Sequence, residues 1–181
     1  MIIGLSGYAQ SGKDSVAKIL VDNYNFERIG FADALKDIAL SINPIMENGY
    51  SLSREIKEFG WDITKNARTE ARRFLQELGT TLRDKVDKDI WVNIAMKKVA
   101  EYNDVVISDV RFQNEADAIR KAGGQIWRVE RPNIHAVNSH VSESDMDEWD
   151  FDAYVHNDGN LDNLDFAVKL MYRKTHELLR G

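Results

Sequence analysis

The chain has 181 residues, 24 of them basic and 30 acidic, a formal net charge of −6, and no cysteine. One domain is the expectation at that length, and the charge excludes wholesale binding of nucleic acid or an anionic membrane while leaving room for a local basic cleft. Disulfides, thiolate catalysis and cysteine-based zinc sites are excluded, and no apolar run approaches the roughly 20 residues that span a bilayer.

Residues 2–6 read as an apolar strand following Met1 directly, with no basic stretch ahead of it, so a cytoplasmic protein is expected. The strand enters a small-residue loop, Gly7-Tyr8-Ala9-Gln10-Ser11-Gly12-Lys13, and a helical pattern follows to about residue 23. Gly7 to Lys13 fits G-x-x-x-x-G-K, with the strand before and the helix after that the motif requires. Glycine lets the backbone amides approach phosphate oxygens. The helix start adds unpaired N–H groups and the positive end of its dipole. Lys13 can reach the β- and γ-phosphates of ATP as a mobile point charge. Gly7, Ala9, Gln10, Ser11, Gly12 and Lys13 are therefore the expected ATP contacts. The next position usually carries a hydroxyl for Mg²⁺, and here it is Asp14, followed by Ser15. Asp14 is the expected metal-side residue, because oxygen ligands suit Mg²⁺. Ser15 points about 100° away around the helix and is the weaker candidate.

Glu27 to Phe31 reads as a second strand. Asp33 is the expected cap of a helix to about Ile42, which Asn43-Pro44 ends. Residues of about 43–66 form the least regular stretch, with a turn at Asn48-Gly49 and a short helix from Ser51 to Phe59 stopped by Gly60. Over 67–85 apolar residues recur at helical spacing: Ala67, Ala71, Phe74, Leu75, Leu78, Leu82. Beside them runs a second stripe, Arg68, Arg72, Gln76, Gly79 and Arg83. It is either a cleft rim or a solvated face paired to Glu70 and Glu77. Gln76 and Gly79 favour the rim, because neither belongs to a salt-bridged surface.

Asp87 or Asp89 caps a helix to about Glu101, and its large apolar residues, Trp91 among them, call for burial on more than one side. Val105 to Ile107 is a strand ending at Ser108-Asp109. An acid there sits beside a nucleotide on the metal or acceptor side, or caps the next helix. Asn114 is the better cap for the helix that ends at Gly123-Gly124. Gln125 to Glu130 is a further strand, with Arg128 and Arg131 flanking its end. Residues 132–149 read as an insert with His135, His140 and the acids Glu143, Asp145, Asp147 and Glu148. That composition fits a solvated, self-repelling lid face better than a metal site. Ala153 to His156 is a last strand, Asn157-Asp158-Gly159 a turn, and Leu161 to Leu179 a closing helix. Short continuous apolar strands between helices mean a parallel sheet covered on both faces. Ligands bind such sheets at the carboxyl ends of the strands, where Gly7, Asp33, Asp109 and Arg131 fall.

The blocks GYAQSGKDS, FADALK, RRFLQELGTTLR, ISDVRFQNEADAIRKAGGQIWRVERP and SHVSESDMDEWDFDAYVHNDGNL resemble the P-loop deoxynucleoside monophosphate kinases of bacteriophages, within the nucleoside monophosphate kinase group. The Lys-Asp pairing in the loop is similar to that family and to the animal phosphomevalonate kinases. The resemblance implies a P-loop NTPase fold, with a five-stranded parallel sheet and helices on both faces. It implies one kinase domain over 1–181, a monophosphate-binding insert at about 43–66 and a lid at about 132–149. ATP and Mg²⁺ are the implied cofactors, and Asn157 and Gly159 would frame the adenine. The acceptor would lie between residues 33–36 and the 68–83 helix, with Asp33, Lys36, Arg68, Arg72, Gln76 and Trp91 as its contacts. Its phosphate is already anionic, so no general base is needed. Lys13, Arg111, Arg128 and Arg131 would neutralise developing charge, and Asp109 would serve the metal or the acceptor. Preference for deoxynucleotides comes from the resemblance alone. The partners implied are small nucleotides, with no nucleic acid and no membrane, acting in the host cytoplasm if the source is a phage. The oligomeric state stays open, a homodimer included. So do two other classes: a P-loop kinase of another small phosphate ester, and a nucleotide-binding module with little turnover.

Overall fold

In the computed structural model, which describes residues 1–135, 140, 142 and 145–178, five parallel strands form one sheet in the order β2-β3-β1-β4-β5. They are β1 (Ile2–Ser6), β2 (Glu27–Ile29), β3 (Val105–Ile107), β4 (Gln125–Glu130) and β5 (Ala153–His156). The helices are α1 (Lys13–Tyr24), α2 (Asp33–Ile42), α3 (Leu52–Ala67), α4 (Thr69–Lys85), α5 (Ile90–Val99), α6 (Gln113–Lys121) and α7 (Leu161–Leu178).

The chain divides into two compact units, one of Met1–Gly30 with Ala95–Gly181, the other Phe31–Ile94. The first holds the sheet. Successive strand residues point to opposite faces. Ile3, Leu5, Trp127, Val129 and Val155 pack with Val16 and Leu20 of α1 and Leu164 and Val168 of α7. On the other face α6 crosses β1 so closely that a Cβ at Gly4 would meet the Ile119 and Ile126 side chains at 2.7 and 2.9 Å. Glycine is what lets that helix approach. The sheet is thus covered on both faces, as its continuous apolar strands require. The second unit packs α2, α3 and α4 around Ala39, Met46, Leu52, Ala71 and Leu75, with Trp61 against that core.

Several local expectations are corrected. The stretch of about 43–66 is helical from Leu52 onward. Ser51 caps α3 by accepting from the Arg54 N–H at 3.4 Å, and Gly60 (φ 76°, ψ 167°) breaks it without ending it, so the chain resumes as helix to Ala67. Asp33 lies in the first turn of α2 behind a cap at Ala32. Asn114 lies inside α6 rather than at its cap. The start of α6 is held by buried Glu115, whose carboxylate accepts from the N–H groups of Arg111 and Phe112 at 2.8 and 3.0 Å. A carboxylate at the third helical position satisfies donors that have no partner inside the helix. Among the described residues no helix is long and apolar enough to cross a membrane.

Candidate active site

The end of β1 opens into a tight loop before α1. Gly7 (φ 143°), Gln10 (φ 66°) and Gly12 (φ 106°) all have positive φ. At Gly7 a Cβ would collide with the Val129 carbonyl oxygen, and at Gly12 with the Asn157 side-chain amide. Both glycines are therefore required by conformation and by space. Gly12 then caps α1. Lys13, the first helical residue, is buried, and its ammonium donates to the carbonyls of Gly7 (2.7 Å) and Tyr8 (2.9 Å). Ser11 is 1% exposed, and its hydroxyl finds no hydrogen-bond partner among the described residues. A buried polar group without a partner is costly, and a phosphate oxygen entering the loop would satisfy it. Ala9 is half-buried and Gln10 exposed at the crest of the loop, while Asp14 is exposed and Ser15 half-buried in the first turn of α1.

Neighbouring strands brace the loop. The Val110 N–H donates to the Leu5 carbonyl at 3.0 Å, so the chain leaving β3 stays beside β1 and brings half-buried Asp109 to the root of the loop. Ser108 is buried and accepts from Arg28 Nε at 2.9 Å. Asn157 follows β5. Its backbone N–H donates to Glu130 at 2.7 Å, and its side-chain amide donates to the Ser11 carbonyl at 2.9 Å. That amide, expected at an adenine, is engaged by the loop. Gly159 lies in the same turn against Asn163.

Arg128 of β4 pairs in register with Ser6. Its guanidinium lies over the rings of Tyr8 (4.8 Å) and Phe151 (5.2 Å) and donates to Asp147 Oδ1 at 3.2 Å. The Tyr8 hydroxyl donates to the same oxygen at 2.8 Å. Burial first, then the Asp147 hydrogen bond, raises the Tyr8 phenol above its ordinary value of 10.0. Arg111 reaches the Ser142 carbonyl at 3.5 Å. Beside the loop, Tyr8, Ser11, Arg128, Arg131, Pro132 and His156 line a cleft of about 340 Å³. Tyr8, Pro132 and His156 are absent from the set read off the sequence. The one available signal was Tyr8, the aromatic residue of the loop.

The stretch read as a lid, 132–149, lies partly outside the described residues (136–139, 141, 143 and 144). Its described acids are not uniformly solvated. Asp145 accepts from the Gln113 N–H at 2.9 Å, Asp147 holds Tyr8 and Arg128, and Met146 between them is buried.

In the second unit the α4 stripe divides. Arg68 pairs through Nε with Glu55 at 3.3 Å, and Glu55, 1% exposed, also accepts from the Asn48 amide. Gly79 is buried, with a virtual Cβ 3.0 Å from Leu35, and its carbonyl accepts from Trp91 Nε1 at 3.2 Å. Trp91 is 4% exposed. Expected at the substrate, it is a core residue, and Gly79 is a packing glycine rather than part of a rim. Arg72 and Gln76 are half-buried on α4. Lys36 and Asp33 pair across one helical turn at 3.4 Å.

A five-stranded parallel sheet with a glycine loop and a lysine at the first helix defines an α/β P-loop fold. Shikimate kinase from Aquifex aeolicus has the same fold, with a TM-score of 0.51 at 14% identity over 97% of this chain and 98% of that one. The sequence profile of the deoxynucleotide monophosphate kinases matches residues 43–168. A protein of Acanthamoeba polyphaga mimivirus, provisionally described as a deoxynucleotide monophosphate kinase, is 34% identical over 81% of this chain and 82% of its own length. The deoxynucleotide monophosphate kinase of Enterobacteria phage T4 is 24% identical, covering 93% of this chain and 97% of its own. The chain belongs to the deoxynucleotide monophosphate kinase family and is an ATP-dependent kinase, so neither the other P-loop kinase class nor a module without turnover is favoured.

Proposed function

We propose that the protein transfers the γ-phosphoryl group of ATP to the 5′-phosphate of a deoxynucleoside monophosphate, giving the diphosphate. The observation that carries this is the loop: three positive-φ residues, a buried hydroxyl without a partner among the described residues and a buried lysine folded over the loop carbonyls. Each group is one that a triphosphate would engage. Lys13 would exchange two neutral carbonyls for charged phosphate oxygens, and charge-assisted hydrogen bonds are the stronger kind. The donor's nucleoside would extend into the cleft lined by Arg131, Pro132 and His156, with Asn157 and Gly159 in the turn beside it.

The oxygen donors near the loop suit a Mg²⁺ ion. Asp14, Ser15 and Asp109 offer two carboxylates and a hydroxyl, and Mg²⁺ keeps several waters and needs only one or two carboxylates beside phosphate oxygens. Bound there, the ion would neutralise phosphate charge. This chain's own residues would do the remainder: Lys13 closes the loop, Arg128 lies on β4, Arg131 follows β4 and Arg111 precedes α6, and these cations would meet charge that develops on the transferring group. Arg72 and Gln76, with Lys36 and Asp33, are the acceptor's contacts. Arg72 would hold its phosphate through a paired fork, and Gln76 would read the base or sugar. Arg68 serves the acceptor less directly, because Glu55 engages it.

A panel of ribo- and deoxynucleoside 5′-monophosphates incubated with ATP, with the diphosphates separated chromatographically, tests the reading. Conversion of at least one deoxynucleotide, faster than its ribose counterpart, is expected. Phosphorylation of a non-nucleotide ester alone would defeat it.

A further inference from the structure

Asp147 lies between β4 and β5 and has no part in the reaction described above. Its Oδ1 nevertheless accepts from both the Tyr8 hydroxyl at 2.8 Å and Arg128 Nη2 at 3.2 Å. Tyr8 is the second residue of the loop, and Lys13 donates to its carbonyl. Arg128 stands in register with the last residue of β1, its guanidinium over the rings of both Tyr8 and Phe151. Tyr8 and Arg128 both line the cleft. One carboxylate oxygen therefore ties together the loop, the strand beside it and the cleft wall. Asp147 is itself held: Met146 is buried next to it, and Asp145 accepts from the Gln113 N–H.

We infer that Asp147 is a positioning residue for the phosphate donor, holding Tyr8 and Arg128 in one array so that loop and guanidinium are preformed when the triphosphate arrives. The inference rests on the donor lying on the phosphate loop. An arginine side chain carries large rotamer entropy, and fixing its planar fork in advance lowers what binding must supply. A rival account makes Asp147 a plug that competes with phosphate for Arg128. The geometry argues against it, because two aromatic faces keep the guanidinium in place and only 11% of the Arg128 side chain is exposed. The accounts predict opposite signs. Losing a positioning carboxylate weakens ATP binding, whereas losing a plug tightens it.

The experiment measures KM for ATP, KM for the monophosphate and kcat in Asp147→Ala, Asp147→Asn, Tyr8→Phe and Lys13→Ala. Asp147→Ala should raise KM for ATP about tenfold, with KM for the monophosphate within about twofold. Asp147→Asn keeps an oxygen that can accept both bonds and should recover most of the loss. Tyr8→Phe removes one hydroxyl, should raise KM for ATP about two- to fivefold, and should add nothing on top of Asp147→Ala, because both act through one contact. An unchanged or lowered KM for ATP in Asp147→Ala overturns the inference, as does an asparagine variant no better than alanine. If Asp147→Ala does not fold, a wild-type KM for ATP in Tyr8→Phe overturns it equally. A folded Lys13→Ala that keeps normal turnover would fail the underlying reading instead.

Discussion

The phosphate loop and the polar stripe of α4 are both patterns of spacing, yet the fold uses them differently. In the loop the chemistry is carried by backbone, and backbone shape is set by sequence neighbours: Gly7, Gln10 and Gly12 turn it, and Lys13 folds back across it. In the stripe the chemistry is carried by side chains, and distant partners engage them first. Arg68 pairs with Glu55 thirteen positions away, and Gly79 accommodates Leu35 and accepts from Trp91. Of the set of five, Arg72, Gln76 and Arg83 are half-buried on α4, and the cleft-rim role that spacing suggests for Arg72 and Gln76 is a proposal. A local motif can be read locally, whereas a helix face cannot be read without knowing what packs on it.

Variants can break that contrast. The largest effect is expected in the loop. Lys13→Ala should fold normally and lose turnover by about 10²–10³-fold or more, as when a donor aimed at developing charge is removed. Near-normal kcat in a folded variant would mean that the loop is not the donor site. In the stripe, Arg72→Ala should raise KM for the monophosphate far more than that for ATP, a loss of about 2–4 kcal/mol for a charged contact at a desolvated site. Equal rises for both nucleotides would make Arg72 structural, like its neighbour Arg68.

Glu55→Ala sharpens the division within the second unit. Glu55 is 1% exposed, and its loss leaves the Asn48 amide and Arg68 without that carboxylate. Chemical denaturation should report about 2–3 kcal/mol less stability, with the KM for ATP unchanged in the protein that remains folded. The smallest effect belongs to Gly79→Ala. Alanine gains about 1 kcal/mol of helix propensity. Against this, its Cβ meets a Leu35 methyl at 3.0 Å, the end of a flexible side chain. A net change under about 1 kcal/mol and unaltered kinetics are expected. A large rise in KM for the monophosphate would return Gly79 to the cleft.

The same division governs what was legible. The sheet was, because five short apolar runs alternate with amphipathic helices and a parallel sheet is the way to bury strands on both faces. The phosphate loop was legible for the reason just given. The burial of Trp91 was not legible, because a large apolar residue reads alike in a pocket and in a core until the carbonyl its N–H reaches, that of Gly79, is known. Residue type favours Asn114 as the α6 cap, whereas Glu115 supplies the carboxylate from inside the helix. The Asp147 contacts were not legible either. Asp147 stands 139 positions from Tyr8, and nothing in an acidic run distinguishes the member that will meet a loop tyrosine.

The central claim is that donor and acceptor are held by separate residue sets, the loop with Lys13 and the α4 face with Arg72. Calorimetric titration of Lys13→Ala and Arg72→Ala, each with a non-hydrolysable ATP analogue and separately with a deoxynucleoside monophosphate, tests it most directly. The account predicts a crossed result: Lys13→Ala binds the analogue more weakly and the monophosphate as the unaltered protein does, and Arg72→Ala shows the reverse. Equal weakening of both ligands by both variants would contradict it.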